Sequence, residues 1–100
     1  MTIQDSIKHD IESTPVILYM KGNKLAPQCG FSAQVVQILN DMAITYETRD
    51  VLQDDALRQG IKDYSDWPTV PQLYSKGQFI GGCDIITELY QTGELETYLR

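Results

Sequence analysis

Cys29 opens the tetrapeptide C-G-F-S, with Ser32 three positions on. A second cysteine at that spacing would let the pair close a disulfide on itself. With serine there, Cys29 must borrow a sulfur, share a metal or stay chemically silent. The serine hydroxyl donates and accepts hydrogen bonds but cannot displace a mixed disulfide. Cys83, in G-G-C-D (81–84), is the one other cysteine of the chain.

The apolar spacing after Cys29 places it at the start of a helix, where the positive end of the backbone dipole and free N–H groups favour thiolate over thiol. Lys21 adds to this. Free thiols titrate near ~8.5 and fall to roughly 3.5–7.5 in such settings, so Cys29 reads as a thiolate near neutral pH. The competing reading is a small buried apolar residue, the common fate of free cysteine; the loop-to-helix position behind Pro27 and Gln28 weighs against it. Cys83 reads equally as a small residue packed under a tight turn. Arg58 and Lys62, four apart, share a helix face and present two positive charges to an anionic ligand or to solvent. Asp84 reads as a helix cap whose carboxylate can also receive an ammonium. Trp67 reads as packing beside a proline turn as readily as anything else. His9 has no acidic or cysteine cluster beside it and reads as solvent-facing, not as a metal ligand.

The elements that must position these residues follow from periodicity and punctuation. Thr2 and Asp5 form a capping box, and Ile3, Ile7 and Ile11 line one face of a first helix at about 2–12, which Pro15 stops. V-I-L-Y-M (16–20) is an unbroken apolar run, the pattern of a central strand covered on both faces. Residues 21–28 contain Gly22, Asn23 and Pro27 and are expected to be a loop. Phe31, Val35, Ile38, Leu39 and Met42 trace the stripe of the next helix. Ile44 to Val51 is strand-like, giving a right-handed crossover between parallel strands. Asp54 caps a helix with Leu57, Ile61 and Tyr64 facing inward. T-V-P-Q-L-Y (69–74) and Q-F-I (78–80) form a hairpin through S-K-G. Gly81 and Gly82 break its second strand, Asp84 caps a helix that Gly93 ends, and a short helical turn follows from Glu94. A small mixed sheet with helices on both faces accommodates this order and puts Cys29 where such sheets place their sites.

One hundred residues bury a single core and form one domain, 1–100. The formal charge of −6, with eight Lys and Arg, excludes a general nucleic-acid binder. The longest apolar run, 16–20, is too short to cross a bilayer and lies behind Asp5, Asp10 and Glu12, unlike a secretory signal. A soluble protein of a reducing compartment is expected, cytoplasmic or in a mitochondrial matrix, with its cysteines as thiols.

Four blocks, Y-M-K-G (19–22), Q-C-G-F-S (28–32), W-P-T-V-P (67–71) and G-G-C-D (81–84), carry a resemblance that spans nearly the whole chain. Together they resemble the monothiol glutaredoxins of the C-G-F-S type, within the thioredoxin-like superfamily. The resemblance implies an α/β thioredoxin-like fold, a central four-stranded mixed sheet flanked by helices, and glutathione bound beside Cys29, the catalytic residue. It implies that Lys21, Arg58 and Lys62 meet the tripeptide's carboxylates. It also implies that Val70, before a cis Pro71, pairs with the tripeptide's backbone. Cys83 and Asp84 would hold the γ-glutamyl end, with Phe31 and Gly82 completing the site.

A [2Fe-2S] cluster commonly takes four thiolates, and this chain offers one well-placed thiolate, Cys29. Two chains and two glutathione molecules complete the set, the arrangement the resemblance implies. Cys29 and Cys83 from each of two chains would also give four sulfurs, an option disfavoured because the resemblance assigns Cys83 to the glutathione pocket. The expected function is glutathione-dependent cluster carriage in iron–sulfur protein maturation through a cluster-bridged homodimer. The expected partners are assembly and recipient proteins, with BolA-type proteins as a further pairing. The alternative is a thiol-disulfide oxidoreductase that removes glutathione from mixed disulfides, an activity expected to be weak beside cluster transfer.

Overall fold

The structure, a computed structural model, describes all 100 residues. Helix α1 (Ile3–Ser13) is capped as expected: Thr2 Oγ1 accepts from the Asp5 N–H at 3.1 Å and Asp5 Oδ2 accepts from the Thr2 N–H at 3.2 Å. The chain turns at Pro15 into strand β1 (Val16–Met20), whose five residues are all buried. Residues 21–28 are not an open loop. They hold a small antiparallel ribbon, β2 (Gly22–Asn23) with β3 (Ala26–Pro27), whose tip Asn23 closes by accepting from the Leu25 and Ala26 N–H groups at 2.9 and 3.0 Å.

Helix α2 (Gly30–Asp41) has Cys29 as its N-cap. Strand β4 (Glu47–Asp50) is shorter than the expected 44–51, because its partner β1 starts only after Pro15 and the ladder begins at Ile17 opposite Glu47. Helix α3 (Asp55–Ser65) starts on Asp54, whose Oδ1 accepts from the Ala56 and Leu57 N–H groups at 2.9 and 3.3 Å. Strands β5 (Gln72–Ser75) and β6 (Gln78–Gly81) form the hairpin, turning on Lys76 and Gly77 at φ of 53° and 82°. The first strand was expected from residue 69. Pro71 has no N–H to give the ladder, which begins at Gln72 opposite Tyr19. Helix α4 (Cys83–Thr92) has Gly82 as its N-cap, so Asp84 lies inside the first turn and does not cap it. Gly93 ends α4 in the left-handed conformation, and α5 (Leu95–Leu99) closes the chain.

The sheet order is β4-β1-β5-β6, with β1 parallel to β4 and antiparallel to β5. Side chains alternate across β1. Val16, Leu18 and Met20 pack with Val35, Leu39, Ile86 and Leu95 under α2, α4 and α5. Ile17 and Tyr19 pack with Ile7, Ile11, Ile61 and Tyr74 under α1 and α3. Each such buried aliphatic side chain contributes roughly 1.5–3 kcal/mol, which is why the Tyr19 hydroxyl is the one polar side-chain group on this strand. Phe31, expected on the core stripe of α2, is 61% exposed. The buried face of α2 runs through Ser32, Val35, Val36 and Leu39, and one residue earlier is a rotation of about 100° off that face.

Candidate functional site

Five segments meet beyond the end of β1. Lys21 leaves the strand, Cys29 opens α2, Arg58 and Lys62 project from α3, the 67–71 turn precedes β5, and Gly82 to Asp84 open α4. They enclose one cavity of about 420 Å³. Every candidate named from the sequence lines it: Lys21, Cys29, Phe31, Arg58, Lys62, Val70, Pro71, Gly82, Cys83 and Asp84. The Val70–Pro71 peptide is cis. Trp67, Pro68, Thr69 and Ile85 complete the wall. The W-P-T-V-P block pointed towards the first three, but nothing in the pattern distinguished Ile85 from a core residue of α4. His9 stays on the exposed surface of α1 and takes no part.

Cys29 is partly exposed, and its thiol is held below the ordinary range. The Ser32 backbone N–H does most to lower it. Burial works against that, and the Phe31 N–H, the Lys21 ammonium and the Ser32 hydroxyl reinforce it. Ser32 itself is fully buried, and its Oγ accepts from the Lys21 N–H at 3.1 Å. The residue in the second-sulfur position therefore stitches the end of β1 to the first turn of α2. Cys83 behaves oppositely: burial raises its thiol, the Thr87 hydroxyl at 4.0 Å opposes this, and Asp84 and Cys29 raise it further.

Two close approaches shape the walls. Gly22 sits at φ 87°, and a Cβ there would lie 2.8 Å from the Gln28 nitrogen, so only glycine lets the ribbon fold back towards Cys29. A Cβ on Gly82 would come within 3.3 Å of Trp67 Nε1. The 67–71 turn is braced from beneath by buried Gln72, whose Nε2 donates to the Thr69 and Trp67 carbonyls at 3.0 and 3.3 Å while its Oε1 accepts from the Tyr74 hydroxyl at 2.9 Å.

Charge distinguishes the cavity from the rest of the surface. Of eight Lys and Arg side chains, four are engaged within the protein: Lys24 on the Tyr46 carbonyl, Arg49 on Asp10, Lys76 on the Arg100 carbonyl and Arg100 on Glu96. The remaining four are Lys8, Lys21, Arg58 and Lys62, and three of those line the cavity. In a chain of net charge −6, uncommitted positive charge is gathered in the wall of one cavity, with the Asp84 carboxylate as its single acidic neighbour there.

The family model described as Glutaredoxin matches residues 16–80. A Synechocystis protein named "Uncharacterized monothiol glutaredoxin ycf64-like" is 58% identical over 90 residues, covering 90% of this chain and 84% of that protein. Glutaredoxin 3 of Danio rerio is 49% identical over 100 residues, but the chain spans only 31% of its length. The solution structure of reduced poplar apo GrxS14 superposes with a TM-score of 0.83 at 48% identity, covering 95% of this chain and 87% of the poplar chain. The mixed sheet flanked by helices is thus the thioredoxin-like glutaredoxin fold. By its matched core and by the identity of its relatives, the chain belongs to the glutaredoxin family.

Proposed function

We propose that this chain is a monothiol glutaredoxin of the C-G-F-S type that binds glutathione beside Cys29 and carries a [2Fe-2S] cluster as cargo between iron–sulfur assembly and recipient proteins. The observation that carries the reading is the gathering of Lys21, Arg58 and Lys62 in the wall of the cavity that the partly exposed, acidified Cys29 also lines. Glutathione near neutral pH has two carboxylates, one ammonium and one thiol. The three cations complement the carboxylates, Asp84 complements the ammonium, and Cys29 lies where a sulfur-to-sulfur or sulfur-to-iron contact is needed. Val70 and Pro71 supply the wall along the peptide, and Phe31, Gly82 and Cys83 close the rest.

The donor set favours a shared cluster. No group of three or more His, Cys, Asp or Glu side chains is gathered to hold a metal ion within the chain, and of its two thiols only Cys29 is acidified. Four thiolates are then met by Cys29 of two chains and the thiols of two glutathione molecules. Ligands held without covalent attachment to the protein can be exchanged, which suits a carrier. Anaerobic reconstitution with iron, sulfide and glutathione is expected to give a coloured dimer that fails to form without glutathione. A Cys29→Ser variant that took up the cluster equally well would refute the assignment.

The same partly exposed, acidified thiol favours a second activity, removal of glutathione from mixed disulfides. Cys29 attacks the glutathione sulfur, a bond forms between the two, and the substrate leaves as thiolate. A second glutathione thiolate then attacks that glutathione sulfur, releasing glutathione disulfide and regenerating the Cys29 thiolate. Turnover of a glutathionylated peptide tests this; rates no greater than those of free glutathione would exclude it.

A further inference from the structure

Lys21 makes no hydrogen bond or ion pair through its side chain, so its backbone sets the region its ammonium can reach. That backbone is held on both sides. The Lys21 N–H donates to Ser32 Oγ at 3.1 Å, the Lys21 carbonyl accepts from the Gln28 N–H at 2.9 Å, and the next amide, Gly22 N–H, donates to Asp50 Oδ1 at 2.9 Å. Asp50 ends β4, opposite Met20 in the parallel ladder. Its Oδ1 also accepts from the Leu52 N–H at 2.9 Å, and its Oδ2 accepts from Gln53 Nε2 at 3.3 Å. The carboxylate makes no ion pair. It is engaged entirely with N–H donors, which bind an ionised acceptor about twice as strongly as a neutral one. Gly22 has no side chain to restrict its backbone, so without that acceptor the residue after Lys21 keeps only the pairing of the ribbon to hold it.

We propose that Asp50 is a positioning residue of the glutathione site: it fixes the Gly22 amide while Ser32 fixes the Lys21 amide, and together they aim the Lys21 ammonium into the cavity beside Cys29. The inference rests on the glutathione reading above. Asp50 lies outside the cavity wall, so it acts through Lys21.

A double-mutant cycle on reduced glutathione binding, read by calorimetry, tests it. Asp50→Ala is expected to weaken binding about three- to tenfold, a fraction of the charged-acceptor hydrogen bond it removes, because that bond reaches the ligand only through Lys21. Asp50→Asn keeps Oδ1 as an acceptor and is expected to stay within about twofold of wild type. In a Lys21→Ala background, Asp50→Ala is expected to add less than about twofold, because the group it positions is gone. Additive losses, or an Asn variant as weak as the Ala variant, would overturn the proposal. If Asp50→Ala does not fold, Asp50→Glu takes its place with the same expectation, since it keeps the charge and displaces the acceptor by a methylene. Hydrogen exchange at the Gly22 amide separates loss of the positioning role from absence of glutathione binding. Wild-type protein that binds glutathione while Asp50→Ala binds it equally overturns the positioning role alone. Wild-type protein that binds none, with the amide protected and Asp50→Ala exposing it, overturns the glutathione reading and with it the role assigned to Asp50.

Discussion

Cys29 and Cys83 line the same cavity with their thiols displaced in opposite directions. Each stands at the start of a helix, so that position alone does not make a thiolate. Cys29 receives the N–H groups of Ser32 and Phe31 and faces Lys21, whereas Cys83 is governed by burial and sits beside Asp84.

Selective alkylation follows from this pair. At pH 7 iodoacetamide is expected to modify Cys29 well before Cys83, as read by peptide mass spectrometry. A Cys29→Ser variant is expected to react slowly, and equal labelling of the two cysteines would contradict the opposed shifts.

Ser32→Ala removes a buried acceptor and leaves the Lys21 N–H unpaired. The expected loss is about 1–2 kcal/mol in urea unfolding, with a higher pH midpoint for Cys29 alkylation because the hydroxyl helps to lower that thiol. Ser32→Cys restores the two-thiol spacing but offers the Lys21 N–H a weak acceptor, so it should lose stability too.

Arg58→Ala and Lys62→Ala each remove a cation that no partner in the protein holds. Stability is expected to change by less than about 0.5 kcal/mol. Glutathione affinity is expected to fall by about two- to tenfold per substitution, and the wild-type affinity to weaken with added salt. Unchanged binding in both variants would remove the argument from charge.

Tyr19 has a fully buried hydroxyl with no hydrogen-bond partner in the protein. Burial, and then the Asp10 carboxylate, push its phenol far above the ordinary range, and burial does the same for Tyr74. Both folded values lie above the unfolded value of 10.0, so their contribution to stability is complete below pH 10.0 and is lost as pH rises through the folded values. Alkaline unfolding is therefore expected above that point. Tyr19→Phe should weaken the alkaline loss and raise stability near neutral pH by about 1 kcal/mol. Cys29 has the opposite sign: its contribution is complete above 9.0 and is lost as pH falls through its lowered folded value. Chemical denaturation across pH in the wild type, Cys29→Ser and Tyr19→Phe separates the two.

Several features were legible because their causes lie within a few residues. The Thr2–Asp5 box, the Asp54 cap, the doubly covered run 16–20 and the position of Cys29 at the head of α2 all arise from local periodicity and capping. The errors fell where a local preference met a distant competitor. Asp84 is a good cap by type, but Gly82 already begins the helix where it packs close to Trp67. Phe31 fits an apolar spacing, but the sheet receives the face beginning at Ser32. The 21–28 loop is tied into a ribbon by Asn23 and by an aspartate far along the chain.

By itself, then, the order of residues determined the main helices and strands and their succession, and that a lone thiol would stand at the mouth of one helix. What the tertiary structure alone decided is the chemistry around that thiol. Ser32 reaches the Lys21 amide across 11 positions and Asp50 reaches the Gly22 amide across 28, and three unpaired cations converge from two segments, the end of β1 and α3. Propensities and caps act over a single turn, whereas a hydrogen-bond partner or a cavity wall exists only once distant segments have packed together.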